Sequence, residues 1–371
     1  MGEHLGGRAD RHSLSRRTLL AAGLGARLGL VGSAALAARP VRAAPARANM
    51  PRWFDRRFGA WVAGDVPRAY DLGDDRTLWI TNDSYLTDDR AVTTVGDASF
   101  QRNAAFVERD GRLGLIHSPS EPFLANGGGS HFDQWFWFHG SVRFGDRIEA
   151  FVSLMRRTGP LGWAINFEYA ETWIASISTR DGSIIDLRPA PNRGTKPLYG
   201  FSVASDDEWT YLFGNNAFYD PGSLPNFVAR VPFGEVDQAP RYWDGRRWVA
   251  SASDAASIYD GVPGAPGLAC RLHVFRWRDE WWASHKWNEF FGAEIHLLRA
   301  PAPSGPWTVV ERVPVAPRTA DNRSCTYDAQ ARPIDHRTIQ LWWSNNAYAE
   351  ADVQADASIY RPRFESVQLP E

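Results

Sequence analysis

The chain has 371 residues with 41 basic and 43 acidic side chains, and its formal charge of −2 hides two unlike parts. Residues 1–48 carry eight Arg against Glu3 and Asp10, a net of +6, which leaves −8 on residues 49–371, where all 17 Trp also lie. Such an acidic, Trp-rich body lacks the basic footprint of a nucleic-acid binder, has no apolar run of about 18 residues to span a bilayer, and holds enough apolar material for a large core.

In chain order, the first segment reads as an address. Ser15-Arg16-Arg17-Thr18 precedes a weakly apolar stretch from Leu19 to Ala38, followed by the small-residue sites Ala44-Pro45-Ala46 and Ala46-Arg47-Ala48. Basic, then apolar, then small is the order of a cleaved export signal, and the paired Arg marks the twin-arginine variety. The expectation is a signal over 1–48 and one catalytic-sized domain over 49–371, exported to the periplasm, the cell wall or the medium. In that oxidising setting Cys270 and Cys325 permit one disulfide closing a loop of about 55 residues, with two free thiols as the alternative.

The body shows few helical signals. Short alternating or aromatic runs recur, at 77–80, 147–154, 210–213, 272–275 and 339–343, bounded by Gly, Pro, Asp and Asn. These read as strands. Asp110-Gly111, Asp181-Gly182 and Asp244-Gly245 are hairpin signals between them. A weak repeat places a polar cluster after an apolar strand: Thr81-Asn82-Asp83-Ser84-Tyr85, Gly214-Asn215-Asn216-Ala217-Phe218 and Ser344-Asn345-Asn346-Ala347-Tyr348. Two further strand ends, Ser153 to Arg157 and Ser284 to Glu289, are polar without the same letters. Five such ends imply sheets of about 60 residues each, arranged radially as a β-propeller, with the polar ends converging on a central channel.

Several chemistries find no support. No Gly-x-Ser-x-Gly elbow is present, the histidines follow no metal-ligand spacing, and Gly127-Gly128-Gly129 lacks the Lys of a phosphate loop. Carboxylates are better candidates. Asp65 precedes one strand, and Asp83 stands where the other two repeats carry Asn216 and Asn346. Glycoside hydrolysis needs two carboxyls facing one bond, one to protonate the leaving oxygen and one to attack or to activate water. Turn-capping is the competing role for both acids. Tyr85, Trp135, Asn216, His285 and Asn346 are substrate-binding candidates, because they are placed at strand ends expected to face the channel, and Asn103 is a further candidate. Packing within the sheets is the alternative for the aromatics, a structural role that for His285, and Glu289 and Glu294 are reserve acids.

The stretches Trp61 to Asp65, Leu72 to Tyr85 and Arg102 to Val107 resemble the opening of a secreted bacterial family now placed in glycoside hydrolase family 183, formerly a domain of unknown function. Gln134-Trp135-Phe136, Tyr242-Trp243-Asp244-Gly245, Ser304-Gly305-Pro306-Trp307 and Trp343-Ser344-Asn345-Asn346 continue the likeness. The resemblance implies a five-bladed β-propeller and an endo-D-arabinanase-like reaction on arabinan polysaccharide of the cell envelope. Asp65 and Asp83 would be its catalytic pair, with Asp65 as nucleophile or base and Asp83 as acid, in an order that remains open. Val66 departs from the family's usual Gly, and Thr81-Asn82 from its Phe/Tyr-Gly. No cofactor is expected, a structural Ca²⁺ in the channel is left open, and the expected assembly is a monomer. A non-catalytic glycan-binding propeller, a glycosidase of other pentose or fructose polymers, and a protein-binding scaffold are the competing readings.

Overall fold

The structure is a computed structural model that describes residues 53–126, 130, 132–159, 166–216, 225–261, 271–316 and 323–370. The expected leader and Cys270 lie outside these residues, and Cys325 is a buried free thiol. The fold is all-β. Its first seven strands interleave two sheets: β1 (Trp61–Gly64), β2 (Arg68–Gly73), β3 (Arg76–Thr81), β4 (Ser84–Leu86), β5 (Ser99–Gln101), β6 (Ala104–Arg109) and β7 (Arg112–Leu115) form β1-β4-β5 and β2-β3-β6-β7. A second four-stranded sheet holds β8 (Gln134–Phe144), β9 (Arg147–Arg157), β10 (Phe167–Ser178) and β11 (Ile184–Pro189).

The next sheet has five strands, β12 (Leu198–Ser205), β13 (Trp209–Asn215), β14 (Asn226–Pro232), β15 (Arg241–Trp243) and β16 (Trp248–Val249). It is followed by β17 (Leu272–Trp277), β18 (Glu280–Lys286), β19 (Glu294–Ala300) and β20 (Thr308–Pro314). The last sheet holds β21 (Ser324–Pro333), β22 (Thr338–Ala347) and β23 (Arg363–Gln368), with a short helix at Glu350–Ala355. Among the described residues no helix is long and apolar enough to cross a membrane.

Neighbouring strands in these sheets pair antiparallel, so hairpin chemistry sets the register. Asp110-Gly111 joins β6 to β7, Asp181-Gly182 joins β10 to β11, and Asp244-Gly245 joins β15 to β16. At Asp74-Asp75, Asp110-Gly111 and Arg278-Asp279 the tip residues have positive φ, the hand that matches strand twist. Successive sheets pack face to face through apolar clusters. Leu78 and Ile80 meet Phe136 and Val152, Phe151 meets Leu212 and Val231, Phe213 meets Trp281 and Leu298, and Leu297 meets Ile339 and Trp343. Trp342 and Phe364 of the last sheet pack on Trp79 and Phe106 of the first four-stranded one.

The strand ends that carry the sequence repeat belong to β3, β9, β13, β18 and β22, the second strand of five different sheets. The first strands β2, β8, β12, β17 and β21 together border one central cavity of about 370 Å³. They approach closely there, and a Cβ on Gly140 of β8 would stand 2.4 Å from the Val203 nitrogen of β12.

Candidate active site

Asp65 leaves β1 directly opposite Asp83. The β1–β4 ladder pairs Gly64 with Ser84, and beyond it the Asp65 N–H donates to the Asp83 carbonyl at 3.0 Å. The Asn82 N–H returns a bond to the Asp65 carbonyl at 3.1 Å. Glycine at 64 is required by this approach, since an added Cβ would lie 2.5 Å from the Asp83 carbonyl oxygen and 2.5 Å from the Trp61 ring. The next residue, Val66, has φ +47°, a conformation costly for a β-branched side chain. That conformation explains why a Gly is at home there in the resembled pattern. Here Ser344 Oγ holds the Val66 N–H at 2.8 Å, and Val66 packs with Cys325 and Tyr327.

The two carboxyls meet different surroundings. Tyr327 donates its hydroxyl to Asp65 Oδ2 at 2.7 Å, while Oδ1 is buried with no donor in hydrogen-bonding geometry. Burial first, and the Asp83 charge second, push the Asp65 carboxyl up to about 8, against the hydroxyls of Tyr327 and Tyr360. Asp83 accepts from Arg102 Nη1 at 2.8 Å and from Trp137 Nε1 at 2.9 Å. Burial raises it as well, but the Arg102 guanidinium and the Trp137 indole oppose the rise by stabilising the anion. Arg102 is itself fixed, lying 3.9 Å over the Trp135 ring and 4.9 Å over Phe100.

A second acidic pair lies beside the first, since the Asp328 charge acts on Asp65. The Asp328 N–H donates to Glu289 Oε1 at 3.1 Å, and Arg68 pairs with Asp328 at 2.8 Å. Burial is the main force that lifts Glu289 to about 7; Asp328 adds to it, while Arg271 and Lys286 pull the other way. The Lys286 ammonium donates to the carbonyls of Glu289 and Gly292 and so pins the turn that carries Glu289. A water-sized cavity of about 10 Å³ is lined by Arg68, Arg271, Lys286, Glu289 and Asp328. Glu294, the other reserve acid, is instead tied to His296 and Arg312.

The remaining candidates fall into different places. Tyr85 is half-buried against Phe100 and Tyr360, and its hydroxyl is pushed up to about 12 by burial first and then by the Asp83 charge. Asn103 was expected to bind substrate, but it is fully buried. Its amide donates to the Leu124 and Phe136 carbonyls and accepts from the Leu124 N–H, which leaves no donor for a ligand. Trp135 is 1% exposed and serves as the floor under Arg102 rather than as an open platform. His285 is 1% exposed between Tyr259 and His296, and burial holds its ring neutral by lowering it to about 3. Asn346 spends its Oδ1 on the Ala347 N–H, and Asn216 is exposed. Arg102, Trp137, Tyr327, Tyr360 and Asp328 were missed. Arg102 opens a quoted stretch and Trp137 follows Phe136 of another, whereas Tyr327 and Asp328 adjoin no quoted motif. No cluster of three metal-ligating side chains occurs among the described residues.

Residues 51–369 match the family described as Domain of unknown function (DUF5005). The chain belongs to that family. No curated protein matches the sequence. Among solved structures, the DUF5005 chain is similar to a Bacteroides ovatus ATCC 8483 protein provisionally described as a hydrolase, with TM-score 0.68 and 17% identity over 84% of this chain and 87% of that one. At that identity the likeness is one of fold. A more distant likeness is to the GH43 endo-arabinanase from Bacillus licheniformis, with TM-score 0.43 and 10% identity over 84% and 96% of the two chains.

Proposed function

We propose that this DUF5005 protein is an exported glycoside hydrolase acting on an arabinan-type polysaccharide, built as a five-bladed propeller, with Asp65 and Asp83 as its reacting carboxyls. The observation that carries the proposal is the main-chain pairing of the two acids at 3.0 Å, with a tyrosine hydroxyl on Asp65 and a guanidinium and an indole N–H on Asp83. Asp65 at about 8 keeps its proton at neutral pH. Asp83 is assigned as the anion, because Arg102 and Trp137 donate to it and oppose the rise that burial causes. The surroundings therefore favour the reverse of the order the sequence suggested. Asp65 protonates the leaving glycosidic oxygen as the C–O bond breaks, and Asp83 attacks the anomeric carbon or takes a proton from the attacking water.

Sugar rings need an exposed apolar face, and the buried Trp residues do not offer one. Phe291, 55% exposed beyond the end of β18, and Tyr348, 47% exposed beyond the end of β22, do so, each following the second strand of its sheet as Asp83 follows β3. The preference for D-arabinofuranosyl linkages of the cell envelope rests on the sequence resemblance to glycoside hydrolase family 183. The test is incubation of the protein with purified arabinogalactan and a panel of L-arabinan, xylan and fructan, with product analysis by chromatography. Release of arabinose oligomers, lost by at least 100-fold in both Asp65→Asn and Asp83→Asn, is expected. Near-normal hydrolysis by either variant removes the pair, and release from another polymer alone reassigns the substrate.

A further inference from the structure

The central cavity of about 370 Å³ is a cationic chamber behind the carboxylate rim. Its ionisable lining consists of Arg68, Asp71, His139, His273, Arg276 and Arg332, with the Tyr70 phenol. Asp71, its single carboxylate, is exposed and already paired with Arg143 at 3.2 Å. Arg68 is 4% exposed and gives one nitrogen to Asp328, yet its Nε is buried without an acceptor, and so is the Nδ1 of His273.

Arg276 on β17 and Arg332 on β21 complete the lining, and neither makes a salt bridge among the described residues. Arg276 lies 4.8 Å over the Trp281 ring, and Arg332 lies 5.0 Å over Trp79 with its Nε on Gln340. The acid that acts on Arg332, Glu108, is itself engaged by the Trp79 indole. Burial lowers Arg332 from its ordinary value, the mark of a charge short of a counter-ion. His139 and His273 are held neutral by burial and by the Arg68 charge, so the chamber's field is positive. Uncompensated guanidinium charge in such a place is expensive, and planar forks match an oxyanion in particular.

We propose that this chamber is a binding site for a small oxyanion of the phosphate or carboxylate class, held by Arg276 and Arg332 with Arg68 at its inner side. A divalent cation is the wrong occupant, since three guanidiniums line the space and the one lining carboxylate is taken by Arg143. The ligand is distinct from the saccharide, and the site does not depend on the hydrolase reading.

The test is isothermal titration of the full chain with sodium phosphate and, separately, sodium acetate, with ionic strength held constant by sodium chloride. Saturable binding of one anion per chain is expected for at least one of the two, and the responding salt identifies the class. Arg276→Gln and Arg332→Gln should each weaken it at least tenfold, whereas Arg312→Gln, which removes a charge paired with Glu294 on β19, should leave it unchanged. Circular dichroism confirms that each variant is folded. If the Arg276 and Arg332 variants fail to fold, a crystal soaked in selenate decides by anomalous density between Arg276 and Arg332. Heat that never saturates above the chloride baseline, equal affinity in folded variants, or density confined elsewhere overturns the proposal.

Discussion

Replacing Asp83 by Asn removes one negative charge beside Asp65 at nearly constant shape, so it isolates the coupling on which the proton assignment depends. Asp65 stands at about 8 against an ordinary 3.8, with burial as the first cause and the Asp83 charge as the second. Directly opposed residues of paired strands have Cβ atoms roughly 4.5–5.5 Å apart, and a charge held within about 4–6 Å moves a carboxyl by roughly 1–3 pH units. In Asp83→Asn the Asp65 carboxyl should therefore titrate roughly 1–3 pH units lower, yet above its ordinary value because burial persists. Carbon-13 NMR of the labelled Asp65 carboxyl, assigned by its loss in Asp65→Asn, measures this directly. An Asp65 titration that stays in place, or moves upward, refutes the charge coupling. An ordinary value in the parent protein would refute the assignment of Asp65 as proton carrier.

The same electrostatics reach stability and pH dependence. A carboxyl whose folded value is raised contributes stability that is complete below 3.8 and is lost as pH rises toward about 8. Asp65→Asn should accordingly raise the melting temperature at pH 8 while leaving it nearly unchanged at pH 4, a stability gain of a few kcal/mol at about 1.4 kcal/mol per pH unit. Hydrolysis by the parent protein should fall above about pH 8 as Asp65 loses its proton. Trp137→Phe removes an indole donor that opposes the rise of the Asp83 carboxyl, so the acid limb of the pH–rate profile should move to higher pH with the basic limb little changed. Asn103→Ala strands two buried carbonyls and one N–H, and calorimetry should show a loss of roughly 2–5 kcal/mol, with KM unaltered in the folded fraction.

Strands and hairpins were legible because their signals are local. Alternation at 147–154 and the Asp-Gly pairs depend on residues next to one another, and β9, β10–β11 and β15–β16 follow them. The all-β class follows from the same signals. Asp65 and Asp83 were legible as types of residue but not as neighbours, because β1 pairs with β4 and skips β2 and β3. All four residues of β1 are buried, so no alternation announces it. The surroundings of the pair could not be read at all. Tyr327 comes from the last sheet, 262 positions beyond Asp65, and Trp137 reaches Asp83 from β8, 54 positions on. The aromatic candidates misled for a related reason. A Trp at a strand end looks the same in sequence whether it faces solvent or, like Trp135, lies under a guanidinium.

Backbone strain ties these facts together. Among the described non-glycine residues with positive φ, Asp74, Asp75, Asp110, Arg278 and Asp279 occupy hairpin tips, where the turn demands that conformation. The other four, Val66, Asn288, Glu289 and Asp328, adjoin or are the clustered acids. Each such conformation costs roughly 1–3 kcal/mol and persists only where its surroundings over-determine it. Here the determinants are visible: Ser344 holds Val66, the Lys286 ammonium pins the Glu289 turn, and Gly292 lets the Trp287 carbonyl approach where no Cβ would fit. Trp61, Trp79, Trp342 and Trp343 are fully buried in the packed sheets that supply the compensating stability. The abundance of Trp thus belongs first to the scaffold, whose rigidity lets strained, desolvated carboxyls persist at its rim. Under the proposed function, contact with a saccharide would fall to Phe291 and Tyr348, two of the few large apolar side chains left exposed among the described residues.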